Sequence, residues 1–451
     1  MIADRYLLVR TGAVYVAAMS TVAVWAWRRP FDGAQGRPAA REITGAVLAS
    51  LWNVPALLAL HLAATRLGWW QYDAAGGLFL GMPIDLLLAW VWLWGAIPAM
   101  VCTSWPLGLV LASALAGDLL FMPAAAPVVK LGPWWIAGDI VGVLTALLPG
   151  VLLARWTANG ERLVARAVLQ MIAFAGLLLF VLPAIAIDGS GGTWRNPADR
   201  PLWQLSLIVQ LLAVPALVGL TAVQEFVTRG GGTPVPFDPP RRIVTSGIYA
   251  YVRNPMQLAA VVLLTMWGAV VGNWWVSAAG LMAHVYSSGL AGWDEDADLA
   301  ARFGDDWVAY RRGVRRWFPQ LRPWFSSDAA PSRLFVSEGC GMCREVGGWF
   351  ARRGARQLAI VPAEQHPSHA LTRITYEPGD GGAPESGVAA VARALEHIHL
   401  GWALVGAALR LPGFRQLAQL LVDASGGEPR PISAATAGAD SRVEAGLRRL
   451  H

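Results

Sequence analysis

Leu202-Trp-Gln-Leu-Ser-Leu-Ile-Val-Gln-Leu-Leu-Ala-Val-Pro-Ala-Leu-Val-Gly-Leu-Thr-Ala-Val-Gln-Glu-Phe-Val227 exceeds the roughly 20 mostly apolar residues that a bilayer's hydrocarbon core requires. Tyr6 to Trp27, Ile43 to Leu67, Leu78 to Val101, Trp105 to Ala125, Trp134 to Ala154 and Val164 to Ile187 share its character. Two shorter runs, Gln257 to Gly272 and Trp274 to Gly292, are joined by a tight turn and read as one hairpin. Together they predict an α-helical polytopic membrane protein with about nine transmembrane helices. Bulk composition agrees: 55% of the 451 residues are hydrophobic and 15% charged, where a soluble chain carries about a quarter charged residues. Tyr6 to Trp27 is followed by Arg28 and Arg29 and not by a small-residue cleavage site, so it reads as a first span.

The net charge of +6 does not point to nucleic acid, because the basic residues fall between and after the apolar runs. Arg28, Arg29, Arg37 and Arg41 follow span one, Arg155, Arg162 and Arg166 follow span five, and Arg229, Arg241, Arg242 and Arg253 follow span seven. The opposite loops hold Arg66, Lys130, Arg195 and Arg200, with Arg5 and Arg10 near the N-terminus. The asymmetry predicts a multi-pass protein of the cell membrane with its N-terminus outside and its C-terminal region in the cytosol. Lys130 is the one lysine among 36 basic residues, a bias that points to a GC-rich bacterial genome.

The polar stretch between spans seven and eight carries the chemistry. It contains Gly247-Ile-Tyr-Ala-Tyr-Val-Arg253-Asn254-Pro255-Met256-Gln257, and beyond the hairpin comes Trp293-Asp-Glu295-Asp296, then Leu299, Phe303-Gly304, Tyr310 and Pro319. Arg253 can hold a carboxylate, Glu295 or Asp296 can accept from an amino or ribose group, and Tyr249 or Tyr251 can stack on an aromatic base. His284 sits at helical spacing from Ser288, Ala291 and Glu295, which would run one face from the acidic pair into the membrane; it reads as a satisfied interhelical histidine or as a base or substrate contact.

This compound motif resembles the isoprenylcysteine carboxyl methyltransferase and phospholipid methyltransferase superfamily over spans seven to nine and their flanks. The resemblance implies an enzyme using S-adenosyl-L-methionine, with Gly247, Tyr249, Arg253, Asn254, Pro255, Met256, Glu295 and Asp296 around the cofactor and Arg253 and Glu295 nearest the chemistry, to which the helical spacing adds His284 as a catalytic candidate. No metal is required, since the sulfonium already activates the methyl group. Gln257 stands where a tyrosine is common, and Asp296 where a second glutamate is usual. The acceptor is expected to be a lipophilic or thiol-bearing small molecule met at the lipid bilayer.

Residues 1–190 form the front helices, 191–322 the methyltransferase-like core, 323–332 a polar linker, 333–425 a second module and 426–451 a flexible tail. In the module, Leu334 to Val336 and Leu358 to Val361 read as strands, and Cys343 to Arg353, Ser386 to His399 and Phe414 to Val422 as helices. Cys340-Gly-Met-Cys343 falls at a strand-to-helix turn, where a helix N-terminus lowers a thiol pKa. With Leu411-Pro412-Gly413 the module resembles the DCC family of thiol-disulfide oxidoreductases, although Ser337 occupies the family's aspartate position. That implies a cytosolic α/β thioredoxin-like domain in which Cys340 and Cys343 are catalytic and exchange with a thiol reductant. Two rival readings are a degenerate binding fold without redox activity and a zinc site in which His366 and His369 join the cysteines. His61, Asp85, Asp118 and Asp139 fall inside spans two to five, where ionisable side chains mark functional sites. Two other functions stay open: a membrane thiol oxidoreductase on a methyltransferase-like scaffold, and a transporter using those aspartates.

Overall fold

A computed structural model describes residues 2–28, 40–101, 105–194, 199–234, 238–367 and 371–430. Arg29, Arg37, Cys102, Arg195, His369 and residues 431–451 lie outside the described residues, as does the side chain of Glu295.

The chain is mostly helical. Among the described residues, seven helices are long and apolar enough to cross a membrane: α1 (Tyr6–Val24), α2 (Arg41–Leu67), α3 (Ile84–Val101), α4 (Leu107–Ala124), α5 (Trp135–Asn159), α6 (Leu163–Gly189) and α7 (Leu202–Gly230). The expected eighth and ninth spans are shorter helices, α8 (Pro255–Val271) and α9 (Trp274–Ser288), of 17 and 15 residues. At about 1.5 Å per residue neither reaches the roughly 30 Å of a hydrocarbon core. A further helix, α10 (Leu290–Gly313), carries the acidic pair.

Proline explains a repeated irregularity. Five-residue π-turns at Trp92–Ala96, Val143–Leu147 and Leu177–Val181 each end two residues before a proline: Pro98, Pro149 and Pro183. Each proline lacks the N–H of an i to i−4 bond and crowds the preceding turn, and widening that turn relieves the clash.

The chain divides into two compact units: Met1–Leu205 with Gly231–Pro239 and Leu264–Met282, and Ser206–Gly230 with Pro240–Leu263 and Ala283–His451. Boundaries fall inside α7, α8 and α9. The first unit is built around α2, whose Leu57 and Leu58 bury against Leu86 and Trp90 of α3 and Ala146 and Leu147 of α5. Gly45 lets α2 and α5 touch, since a Cβ there would sit 2.8 Å from the Ala154 carbonyl oxygen. Such small-residue contacts are how helices associate where no hydrophobic difference drives them.

In the second unit, Ser332–Val336 (β5), Leu358–Pro362 (β6), Thr375–Glu377 (β7) and Glu385–Ser386 (β8) form a sheet in the order β6-β5-β7-β8; the shorter strands β1 to β4 (Trp70–Tyr72, Leu78–Phe79, Met82–Pro83, Val129–Leu131) pair two by two in the first unit. β5 is parallel to β6 and antiparallel to β7, which is antiparallel to β8. Helices α11 (Gly341–Arg352), α12 (Val388–Leu395), α13 (Leu400–Arg410) and α14 (Phe414–Val422) follow in chain order. Leu334, Phe350, Tyr376, Ala390, Leu395 and Ile398 make the core, the larger side chains contributing about 1.5–3 kcal/mol each.

Candidate functional site

The stretch around Arg253 is positioned by two strata of packing. Gly247 opens a 3-10 turn, Gly247–Ala250, with a φ of 60° that other residues adopt only with strain. A Cβ there would also approach the Glu225 carboxyl carbon to 3.1 Å. Below the turn, Val244, Ile248, Tyr249 and Val252 pack with Ala222 in a small apolar core that half-buried Met256 joins. Beyond it, Arg253 and Asn254 run beside Arg315 and Arg316, with Arg253 N–H donating to the Arg315 carbonyl (2.9 Å) and Asn254 N–H to that of Arg316 (3.2 Å). Pro255 then starts α8, where its fixed φ suits a first helical position. Asn254 Nδ2 donates to Gln257 Oε1 at 2.8 Å, so Gln257 fixes the asparagine.

Arg253 lies with its guanidinium carbon 5.5 Å from the centre of the Trp307 ring. Asp296 attracts it across the site and lies 4.0 Å from Arg311. Burial pulls the Arg253 guanidinium below its ordinary pKa, with Asp296 opposing the fall and Arg316 adding to it. Four shielded N–H donors, on Arg253 Nη1, Trp307 Nε1, Arg316 Nε and Trp317 Nε1, find no hydrogen-bond partner among the described residues. Buried donors without acceptors are costly and rare in native proteins. Arg253, Trp307 and Arg316 neighbour one another, and an acceptor-rich, anionic group beside them would satisfy their donors.

The two tyrosines serve otherwise than as stacking platforms. Tyr251 is fully buried and donates to the Glu396 carbonyl at 2.7 Å, and buried Tyr249 accepts at its carbonyl from Tyr310 Oη at 2.9 Å. Neither presents a free ring face. The expected face from His284 to Glu295 is also broken: α9 ends at Ser288, and Gly289, at φ −94° and ψ −102°, turns the chain before α10 begins. His284 instead packs against Trp317 in a T-shaped contact, with ring centres 4.4 Å apart.

A buried charge network escaped the sequence reading. Glu225, 1% exposed, accepts from Arg393 Nη1 (2.7 Å), Arg410 Nη2 (3.0 Å) and the Ser246 hydroxyl. Arg393 also donates to Glu385 (2.7 Å) and Glu396 (3.1 Å), and Arg410 to Glu396 (2.7 Å). Two guanidinium forks thus serve three carboxylates. The one signal in the sequence was an acidic residue near the end of an apolar run.

In the cysteine module, Cys340 and Cys343 are free thiols, and Cys340 Sγ caps α11 by accepting from Cys343 N–H at 3.3 Å. Burial, reinforced by the adjacent Cys340, pushes the Cys343 thiol up to about 12. Ser337 Oγ donates to Glu364 Oε1 at 2.8 Å and Glu338 N–H to the same oxygen at 3.0 Å. Glu364 therefore places a carboxylate beside the position that lacks one in sequence. His366 faces Glu377 at 2.9 Å and the edge of Phe335, and among the described residues no group of three or more metal-binding side chains forms.

In the first unit, Asp85 pairs with Arg10 at 2.7 Å, His61 Nε2 lies 3.2 Å from the Leu80 carbonyl oxygen, and buried Asp118 and Asp139 face one another beneath Trp90. Arg10 is thereby accounted for as the partner of an intrahelical acid.

No protein-family model, curated protein or solved structure matches the chain.

Proposed function

We propose that this chain is an integral membrane methyltransferase that uses S-adenosyl-L-methionine on a lipophilic or thiol-bearing acceptor, with a thiol-redox module at its C-terminus. The observation that carries the reading is the group of unpartnered donors around Arg253 opposite Asp296. It suits the cofactor: Arg253 offers a fork to a carboxylate, Arg316 adds a second guanidinium donor, and Asp296 accepts from an ammonium or ribose hydroxyl. The cofactor supplies a methyl group already activated by its sulfonium. The chain's own work is then to bind, orient and exclude water. Trp307 lies against Arg253 and would wall the site, and His284 would serve as the base that takes a proton leaving the acceptor. Glu295, on the same helix as Asp296, completes the acidic pair by its place in the sequence.

Calorimetric titration of the purified chain with the cofactor tests the assignment. Binding is expected, with a loss of about tenfold to a hundredfold in Arg253→Ala, the worth of a charge-assisted hydrogen bond. Glu295→Ala should weaken it too, and labelled methyl should pass into a lipid or small-thiol pool. Binding that survives both substitutions would place the cofactor elsewhere.

The redox reading rests on a reduced Cys-x-x-Cys pair at the turn of the parallel unit β5-α11-β6. In that role the Cys340 thiolate attacks a substrate disulfide and Cys343 displaces the mixed disulfide. Two electrons and two protons pass to the released dithiol, and a thiol reductant restores the pair. With the seven long apolar helices in a bilayer, the arginine asymmetry orients the N-terminus outward and this module toward the cytosol.

A further inference from the structure

A cavity of about 970 Å³ lies in the second unit between the end of α7, the segment before Gly247, and helices α12 to α14. Its wall carries Arg229, Arg242, Arg393, Arg410 and Arg415. Arg393 and Arg410 are taken up by Glu225, Glu385 and Glu396, and Arg229 lies 3.7 Å from Asp380. Arg242 and Arg415 are exposed on the rim and make no ion pair among the described residues. The rim therefore has cationic capacity to spare.

Two observations fix the depth of this cavity. As a 29-residue helix, α7 is about 43 Å long, against roughly 30 Å of hydrocarbon, and its last turns carry Glu225 and Arg229, the charged end that a bilayer holds among the headgroups. Those same turns hold α13: Gln224 Nε2 donates to the Arg410 carbonyl at 3.2 Å beside the Glu225–Arg410 pair. Phe414 begins α14 only four residues later, within about 14 Å of that anchor. α14 then turns Phe414, Leu417 and Leu421 outward, all at least 57% exposed, while Leu420 reaches the cavity mouth. Spacing of three and four residues makes one apolar stripe on a helix at interfacial depth.

We infer that this cavity is a binding site for a glycerophospholipid with an anionic headgroup, its phosphate held by Arg242 and Arg415 at the mouth and its acyl chains lying along Phe414, Leu417 and Leu421. Charge complementarity selects the headgroup, and the adjoining stripe selects a lipid over a free anion. The site shares neither Arg253 nor the cysteines and stands whatever reaction the chain performs.

The test uses the purified full chain in detergent and equilibrium binding of fluorescent phosphatidylglycerol, phosphatidylcholine as comparison and inorganic phosphate as competitor. Phosphatidylglycerol should bind at least tenfold more tightly, Arg242→Gln and Arg415→Gln should each weaken it about fivefold, and Leu417→Gln with Leu421→Gln should weaken both lipids. These side chains are exposed, and an unchanged melting temperature confirms that folding is intact. Equal affinity for the two lipids, or indifference to both arginine changes, overturns the site. Displacement by inorganic phosphate at equal concentration, with the leucine changes silent, overturns the lipid in favour of a free anion.

Discussion

Replacing Arg393 by methionine tests the buried charge network most directly. The side chain is 2% exposed and donates to Glu225 and Glu385 at 2.7 Å and to Glu396 at 3.1 Å. Methionine keeps much of the volume, so the change is chiefly electrostatic: three carboxylates would face Arg410 alone. Breaking a buried ion pair from one side costs about 3–5 kcal/mol, because the abandoned charge stays desolvated. In a unit of this size that lowers the melting temperature by roughly 10 °C. Glu225→Gln should cost less, about 1–3 kcal/mol, since it leaves two carboxylates for two guanidinium groups and keeps a hydrogen-bonding side chain. The double variant should be less unstable than the sum of the singles, because removing Glu225 relieves the excess negative charge that the loss of Arg393 creates. Thermal unfolding in detergent, followed by tryptophan fluorescence, measures all three. Lowering the pH should narrow the deficit of Arg393→Met as the surplus carboxylates take up protons. An Arg393→Met protein that melts with the wild type, or strictly additive singles, refutes the coupling.

Burial pulls His397 down to about 4; its Nε2 lies 2.9 Å from Tyr376 Oη and its Nδ1 2.7 Å from the Arg356 carbonyl oxygen. The folded chain therefore keeps it neutral while the unfolded chain protonates near 6.5, so its contribution is complete above about pH 6.5 and lost as pH falls toward 4, by about 3 kcal/mol; denaturant titrations should show a shallower acid loss in His397→Gln. Gly247→Ala should cost about 1–3 kcal/mol from its φ of 60° and the nearby Glu225 carboxyl, read as a lower melting temperature, and an unchanged melt contradicts the packing. At pH 8, iodoacetamide followed by mass spectrometry should label Cys340 well before Cys343, whose thiol burial pushes up to about 12; equal rates would refute that environment.

What the sequence made legible was what depends on near neighbours. A span announces itself because its one requirement, an unbroken apolar length, is local, and the prolines that widen α3, α5 and α6 are legible for the same reason. The Arg253-Asn254-Pro255 turn was found because its residues are contiguous. Its four unpartnered donors were not, since they come from Arg253 and from residues of the 307–317 segment that only the fold brings beside it. Glu225 passed as one acid at the end of a span because its guanidinium partners stand 168 and 185 positions away. Tyr249 and Tyr251 show the converse: a tyrosine reads equally as a stacking platform or a core residue until its neighbours are known. Ser337 carries this furthest. Its position carries no carboxylate of its own, yet Glu364, 27 residues on, accepts from its hydroxyl at 2.8 Å and from the next backbone N–H at 3.0 Å. A carboxylate belongs to a place in space, and a motif compared position by position cannot register one supplied by the turn Ala363–Gln365 that follows the neighbouring strand.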